Sequence, residues 1–241
     1  MFAAVFLLAA AIYLLVIALA TGERGRAFAR VSPGLLPPVG IIFGLLVGFL
    51  AVQVWNDADQ ARVEVDREAS ALRAAVLLSE RFPGSTEERI RRLVREHVQQ
   101  AAAVEWPAMA DRRATLTAVP SALGEALRDV LALQPQDEGQ RIAQRELVTS
   151  LENALDARRQ RIILSESSVN WVKWSGVIVL AVITLLAIAF VHSENRATTA
   201  LAMAIFACAV AVSITIIAAQ ERPFSGQFGV EPDPLLEIAP N

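Results

Sequence analysis

Four stretches of the chain are unbroken runs of apolar residues. Residues 2 to 20 (FAAVFLLAAAIYLLVIALA) and 197 to 219 (ATTALAMAIFACAVAVSITIIAA) carry no charge, and at about 1.5 Å per residue each reaches nearly or fully across a hydrocarbon core of about 30 Å. Residues 39 to 55 (VGIIFGLLVGFLAVQVW) and 174 to 191 (WSGVIVLAVITLLAIAFV) sit at the short end of the spanning range of roughly 17 to 25 residues and extend into their flanks. The runs neither alternate nor stop near ten residues, so in lipid, where every backbone group needs an internal partner, they read as helices. Trp55, Trp171 and Trp174 stand at span ends, where an amphipathic ring favours the headgroup layer. Ala18-Leu19-Ala20 gives the first run a second reading as a cleaved signal core, but its length and the lack of a basic residue ahead of it favour a retained span.

Residues 56 to 170 are polar, with apolar positions at helical period. Ala61, Val65, Ala69, Leu72 and Val76 form one stripe, with Glu64, Asp66, Arg67, Glu68 and Arg73 expected on other faces, up to Pro83-Gly84. Ser85 and Glu88 have capping-box spacing ahead of a helix carrying Ile90, Leu93, Val94, His97, Ala101 and Val104, which Trp106-Pro107 is expected to stop. A short helix over about 121–133 uses Leu123, Leu127, Val130 and Leu131. A last one starts near Asp137, and nothing between 138 and 173 is expected to break it before the third span. The pattern predicts an all-α integral membrane protein with four transmembrane helices and a helical extramembrane domain inserted between the second and third. The expected boundaries are 1–55 for helices 1 and 2, 56–170 for a helical domain continuous with helices 2 and 3, 171–220 for helices 3 and 4, and 221–241 for an extended Pro-rich tail. Phe224, Phe228, Leu235 and Leu236 supply that tail with apolar groups to dock on the helical domain or a neighbouring subunit.

Composition agrees with a membrane class: 54% of residues are hydrophobic, and the mean hydropathy is +0.44. A net charge of -3 with balanced signs gives no nucleic-acid footprint. The single Cys208, inside the last run, reads as inert packing. His97 has no Cys or second His at ligand spacing and reads as an ordinary helix residue. Arg91, Arg92 and Arg95 share a helix with Glu87, Glu88 and Glu96 and read as a solvated face, while Lys173, the sole lysine, reads as snorkelling to an interface. No nucleophile elbow, zinc-protease motif, Walker loop or dinucleotide turn is present, so neither an enzyme, a cofactor nor a metal site is expected.

The second run holds two further patterns. Gly40, Gly44 and Gly48 repeat every fourth residue, which suits close helix packing. Ile41, Leu45 and Phe49 repeat at the same step one position later, so they share a face. Taken alone, that face is a packed or lipid-facing stripe.

The order of two spans, a helical insertion and two more spans, with "PPVGIIFGLLVGFLAVQVWND", Trp106-Pro107 after an acidic residue and "QERPFSGQFGVEP" past the last span, resembles the bestrophin-like family of bacterial membrane proteins. Through it the chain resembles bestrophins, which are pentameric anion channels. The resemblance implies a pore lined by the second span, a homo-oligomer, anions as the permeant species, and an apolar neck. Matching Gly48-Phe49 to the family's Gly-aromatic pair carries that neck onto Ile41, Leu45 and Phe49. It also implies a bacterial inner membrane location with the helical domain in the cytoplasm.

Leu45 stands where the family has an aromatic residue, which implies a wider constriction. Glu231, Asp233 and Glu237 are interleaved with Pro232 and Pro234 and do not reproduce the animal channels' calcium clasp. Arg81-Phe82-Pro83 echoes a family tripeptide but lies nearer the second span. Orientation signals conflict: Arg24, Arg26 and Arg30 make the first loop basic, whereas Arg158, Arg159, Arg161 and Lys173 lead into the third span. Two function classes follow: a homo-oligomeric anion channel, or a membrane-anchored helical scaffold or sensor without a pore.

Overall fold

The computed structural model describes residues 2–20, 33–116, 121–167, 169–226 and 229–238, and among them every regular element is helical. Arg24, Arg26, Arg30 and Phe228 lie outside the described residues. The elements are α1 (Phe2–Leu19), a 3-10 turn (Pro33–Leu35), α2 (Leu36–Ser79), α3 (Gly84–Gln100), a π-helical turn (Ala101–Glu105), α4 (Trp106–Ala110), α5 (Ser121–Leu131), α6 (Glu138–Glu166), α7 (Trp171–Val191), α8 (Arg196–Gln220) and the short α9 (Asp233–Leu236). Four segments are long and apolar enough to cross a membrane: α1, α2, the one ending in α7, and α8. The chain divides into two compact units, Met1–Trp55 with Ser168–Glu221, and Asn56–Ser167 with Arg222–Asn241.

In the first unit α1 packs on both α7 and α8, and α7 on α8. Ala9, Ile12 and Val16 of α1 meet Leu185, Ile188 and Ala189 of α7 and Met203 and Ala207 of α8; the alanines let the backbones approach, as helix packing in lipid requires. The start of α2 contributes Phe43, Leu50 and Val54 to a second cluster with Val177 and Ala181 of α7 and Val210, Ile214 and Ile217 of α8. The Phe43 and Phe206 rings lie 5.3 Å apart there. Asn195 caps α8 by accepting from the Ala197 and Thr198 N–H groups.

In the second unit the stripe of α2 is buried at Ala61, Val65, Ala69 and Leu72 and half-buried at Val76. Three local expectations are corrected. The helix after Pro83 has no Ser85 capping box: Pro83 itself is the N-cap residue, and its carbonyl accepts from Thr86 and Glu87. Nor does Trp106-Pro107 stop that helix. The π-turn widens the coil just ahead of it, with Trp106 N–H bonding to Ala101 O, and this takes up the clash between a proline ring and the carbonyl four residues back. The chain continues as α4 to Ala110, and Arg112 beyond it has φ 56°.

The third correction concerns α6. Asp137 caps its start, accepting from Gln140 N–H, but the helix ends at Glu166 instead of running on into the third span. Ser167 is extended and Asn170 caps α7 through Val172 N–H. A polar stretch rich in capping residues ends a helix here without Gly or Pro.

The tail belongs to the second unit. Phe224, Val230, Leu235 and Ile238 are buried in its core, whereas Leu236 is exposed. Gly226 has φ 83°, a conformation that favours glycine. A Cβ at Gly229 would lie 3.1 Å from Ser225 N.

Candidate functional site

Two places merit a site-level description, one in each unit. The first is the face of α2 opposite its buried side. Phe43, Leu50 and Val54 are covered by α7 and α8, whereas Ile41, Leu45 and Phe49 are 63%, 55% and 70% exposed. The three share a face that is mostly uncovered among the described residues. The neighbouring glycine line is equally open: a Cβ added at Gly40, Gly44 or Gly48 would meet nothing within 4 Å. Past Phe49, Gln53 Oε1 accepts a hydrogen bond from Lys173 Nζ at the start of α7. Leu46, Phe49, Leu50, Gln53, Lys173 and Val177 line a cavity of about 150 Å³.

The second place is a buried ion cluster that the sequence pattern did not announce. Arg161 of α6 donates from Nε to Glu68 Oε2 at 2.8 Å and from Nη2 to Glu105 Oε2 at 2.9 Å. Arg158, one turn earlier, donates from Nε to Glu105 Oε1 at 2.8 Å. His97 Nε2 lies 2.8 Å from Glu68 Oε1. The side chains of Glu68, His97 and Arg161 have no solvent exposure. Two guanidinium groups face two carboxylates here, the pairing that keeps such charges tolerable out of water.

A carboxylate only accepts, so His97 Nε2 donates to Glu68, while Nδ1 has no hydrogen-bond partner among the described residues. Burial by itself would raise the Glu68 carboxyl. The Arg161 charge, followed by the hydrogen bond and charge of His97, outweighs burial and holds it below its ordinary range.

Trp106 extends the cluster to the tail. Its ring lies under the Arg161 guanidinium, 4.4 Å from centroid to Cζ. Its Nε1 donates to Val230 O at 2.9 Å, and Phe224 meets it edge-on with centroids 5.8 Å apart. The π-turn allows both Glu105 and Trp106 to point inward. Buried in the second unit, the cluster ties α2, α3, α4, α6 and the tail together; it offers no face to a substrate.

The sequence reading placed Glu68 among outward-facing charges, which the structure corrects, and His97 on the buried side of its helix, where it lies; it did not anticipate the burial of Arg158 and Arg161 ahead of the third span. A signal was present: each charge sits on its helix's apolar stripe, Glu68 beside Val65, Ala69 and Leu72, and Arg158 and Arg161 beside Ala154 and Ile162. Arg91, by contrast, pairs with Glu80 and Glu87 at a partly exposed surface.

The bestrophin-like domain family matches residues 3–235. Among solved structures the chain is similar to a mutant form of a bacterial bestrophin homologue from Klebsiella pneumoniae, with TM-score 0.73 and 13% identity over 98% of this chain and 96% of that one. A second crystal structure of a Klebsiella pneumoniae homologue gives TM-score 0.71 and 13% identity over 97% and 98%. A comparison with curated proteins gives no match. Identities this low establish the fold, which is the bestrophin fold, while the family follows from the match over nearly the whole chain. The chain belongs to the bestrophin-like family.

Proposed function

We propose that the protein is a homo-oligomeric anion channel, a pentamer by its resemblance to bestrophins, with α2 as the pore wall and Ile41, Leu45 and Phe49 as an apolar neck. In this reading the second unit is a helical domain set between the second and third spans, outside the bilayer of the bacterial inner membrane and on its cytoplasmic side. The observation that supports it most is the division of α2 into a face covered by its own chain and an uncovered large-apolar face at the positions of the family's neck. Three such rings stacked over about 12 Å of helix rise would hold a dry constriction that gates by dewetting. The open glycine line beside them gives a neighbouring copy's helix room to approach.

The competing reading is a non-conducting membrane-anchored scaffold or sensor. It is favoured by exposures of similar size on the other spans, such as 69% at Leu7 and 64% at Leu201, which suit a face turned to lipid. One experiment separates the two: oligomeric state in nanodiscs, followed by chloride flux from proteoliposomes. A pentamer whose flux rises in Phe49→Ala and Ile41→Ala supports the channel. A monomer, or flux no greater than that of empty liposomes in all forms, supports the scaffold.

A further inference from the structure

We infer that Lys173 sets the sign of the permeant ion, favouring anions, at the end of the apolar line on α2; the inference rests on the pore reading of that line. The step of four that joins Ile41, Leu45 and Phe49 arrives next at Gln53. Gln53 is therefore the first polar group an ion meets on leaving the neck along that face, and Lys173 Nζ is hydrogen-bonded to its Oε1.

Three features make the ammonium effective there. Its hydrogen-bond partner among the described residues is a neutral amide, so its charge is not cancelled at the bond. Phe49, Leu46, Leu50 and Val177 line the same cavity, so one side of the charge is apolar and its field is screened less than in water. Lys173 also lies in the first turn of the 21-residue α7, whose N-terminal dipole adds potential of the same sign.

Two carboxylates bear on the balance. Glu221 is engaged with Trp174 Nε1 at 3.4 Å. Asp57 comes one turn after Gln53 on α2, farther from the neck than the lysine's partner. In a symmetric oligomer each copy adds one ammonium, and the ring they form stands at the threshold where an ion sheds water, the place at which charge discriminates best. A lysine that only snorkels to a headgroup would be indifferent to the ion passing through.

The test is the chloride-to-potassium permeability ratio, from reversal potentials of the full-length protein in planar bilayers under a KCl gradient. Lys173→Gln is expected to lower the ratio several-fold, Lys173→Arg to keep it, and Lys173→Glu to lower it further. The exchange Gln53→Lys with Lys173→Gln returns the ammonium to the same spot and is expected to recover the ratio. An unchanged ratio in a conducting Lys173→Gln overturns the assignment and leaves the channel standing. If Lys173→Gln carries no current, the exchange variant decides, since current without anion preference overturns the assignment. Absence of current from the wild type removes both readings.

Discussion

Glu68 and Arg161 are 93 positions apart in the chain and meet at 2.8 Å with no solvent exposure on either side chain. Arg161 also reaches Glu105, so one guanidinium joins carboxylates from α2 and from the π-turn. Removing one partner of such a group leaves the other charge buried and uncompensated, at a cost of roughly 3–5 kcal/mol.

Glu68→Gln and Arg161→Met are therefore each expected to destabilise the protein by about that amount, read as a fall in denaturant midpoint in detergent. The double variant Glu68→Gln with Arg161→Met is expected to be less destabilised than the sum of the two. Strict additivity would show that the pair is not coupled.

Acid sensitivity follows from the same carboxylate. Burial opposes its ionisation, but the Arg161 charge and then His97 prevail, so the Glu68 pKa is lower in the folded chain than its ordinary 4.5. A carboxyl depressed by folding binds fewer protons in the native state. Its contribution is full above the unfolded value and is lost as pH falls through the folded one. The melting temperature is expected to fall as pH drops below about 4.5, from this group. Glu68→Gln starts lower and shows a shallower fall; parallel curves for the two proteins would contradict the assignment.

The open glycine line makes a separate prediction. Because a Cβ at Gly44 would meet no described atom within 4 Å, Gly44→Leu is expected to leave the helical content unchanged and to gain somewhat under 1 kcal/mol of helix propensity. If a second copy packs there, the same variant shifts the protein to smaller species in size-exclusion chromatography with light scattering. An unaltered oligomer would place the glycines away from any interface.

The spans were legible because lipid imposes a length and an apolar content that few other segments meet, and α2 was legible because nothing between Phe49 and Phe82 interrupts it. The stripe of Ala61, Val65, Ala69 and Leu72 was read correctly for the same reason of period. The charges beside that stripe were not. A rule that sends charged residues outward fails where partners arrive from distant helices, and neither Glu105 nor Arg161 names its partner locally. Helix ends were the other weak point. Ser85 had the right spacing for a cap, yet Pro83 with its fixed φ started the helix earlier. The break after Glu166 rests on Ser167 and Asn170, residues that cap only when the chain around them leaves the helix. Of the first candidate site, sequence supplied the line of Ile41, Leu45 and Phe49 but not Lys173's place beside Gln53, which depends on how α7 packs against α2.

The widened turn at Ala101–Glu105 amounts to one surplus residue in an otherwise regular coil. Each residue of an α-helix advances the azimuth by about 100°, so the surplus decides which side chains downstream look inward. Closing the turn into regular α-helix with all its residues kept would swing Glu105 and Trp106 away from Arg161 together, and would press the ring of Pro107 onto a carbonyl it now avoids. Excising one alanine from 101–103 would instead remove the surplus itself and keep the downstream facing, so the junction of four helices and the tail depends on the turn's width matching its residue count, while truncating the exposed Val104 side chain next door would change little.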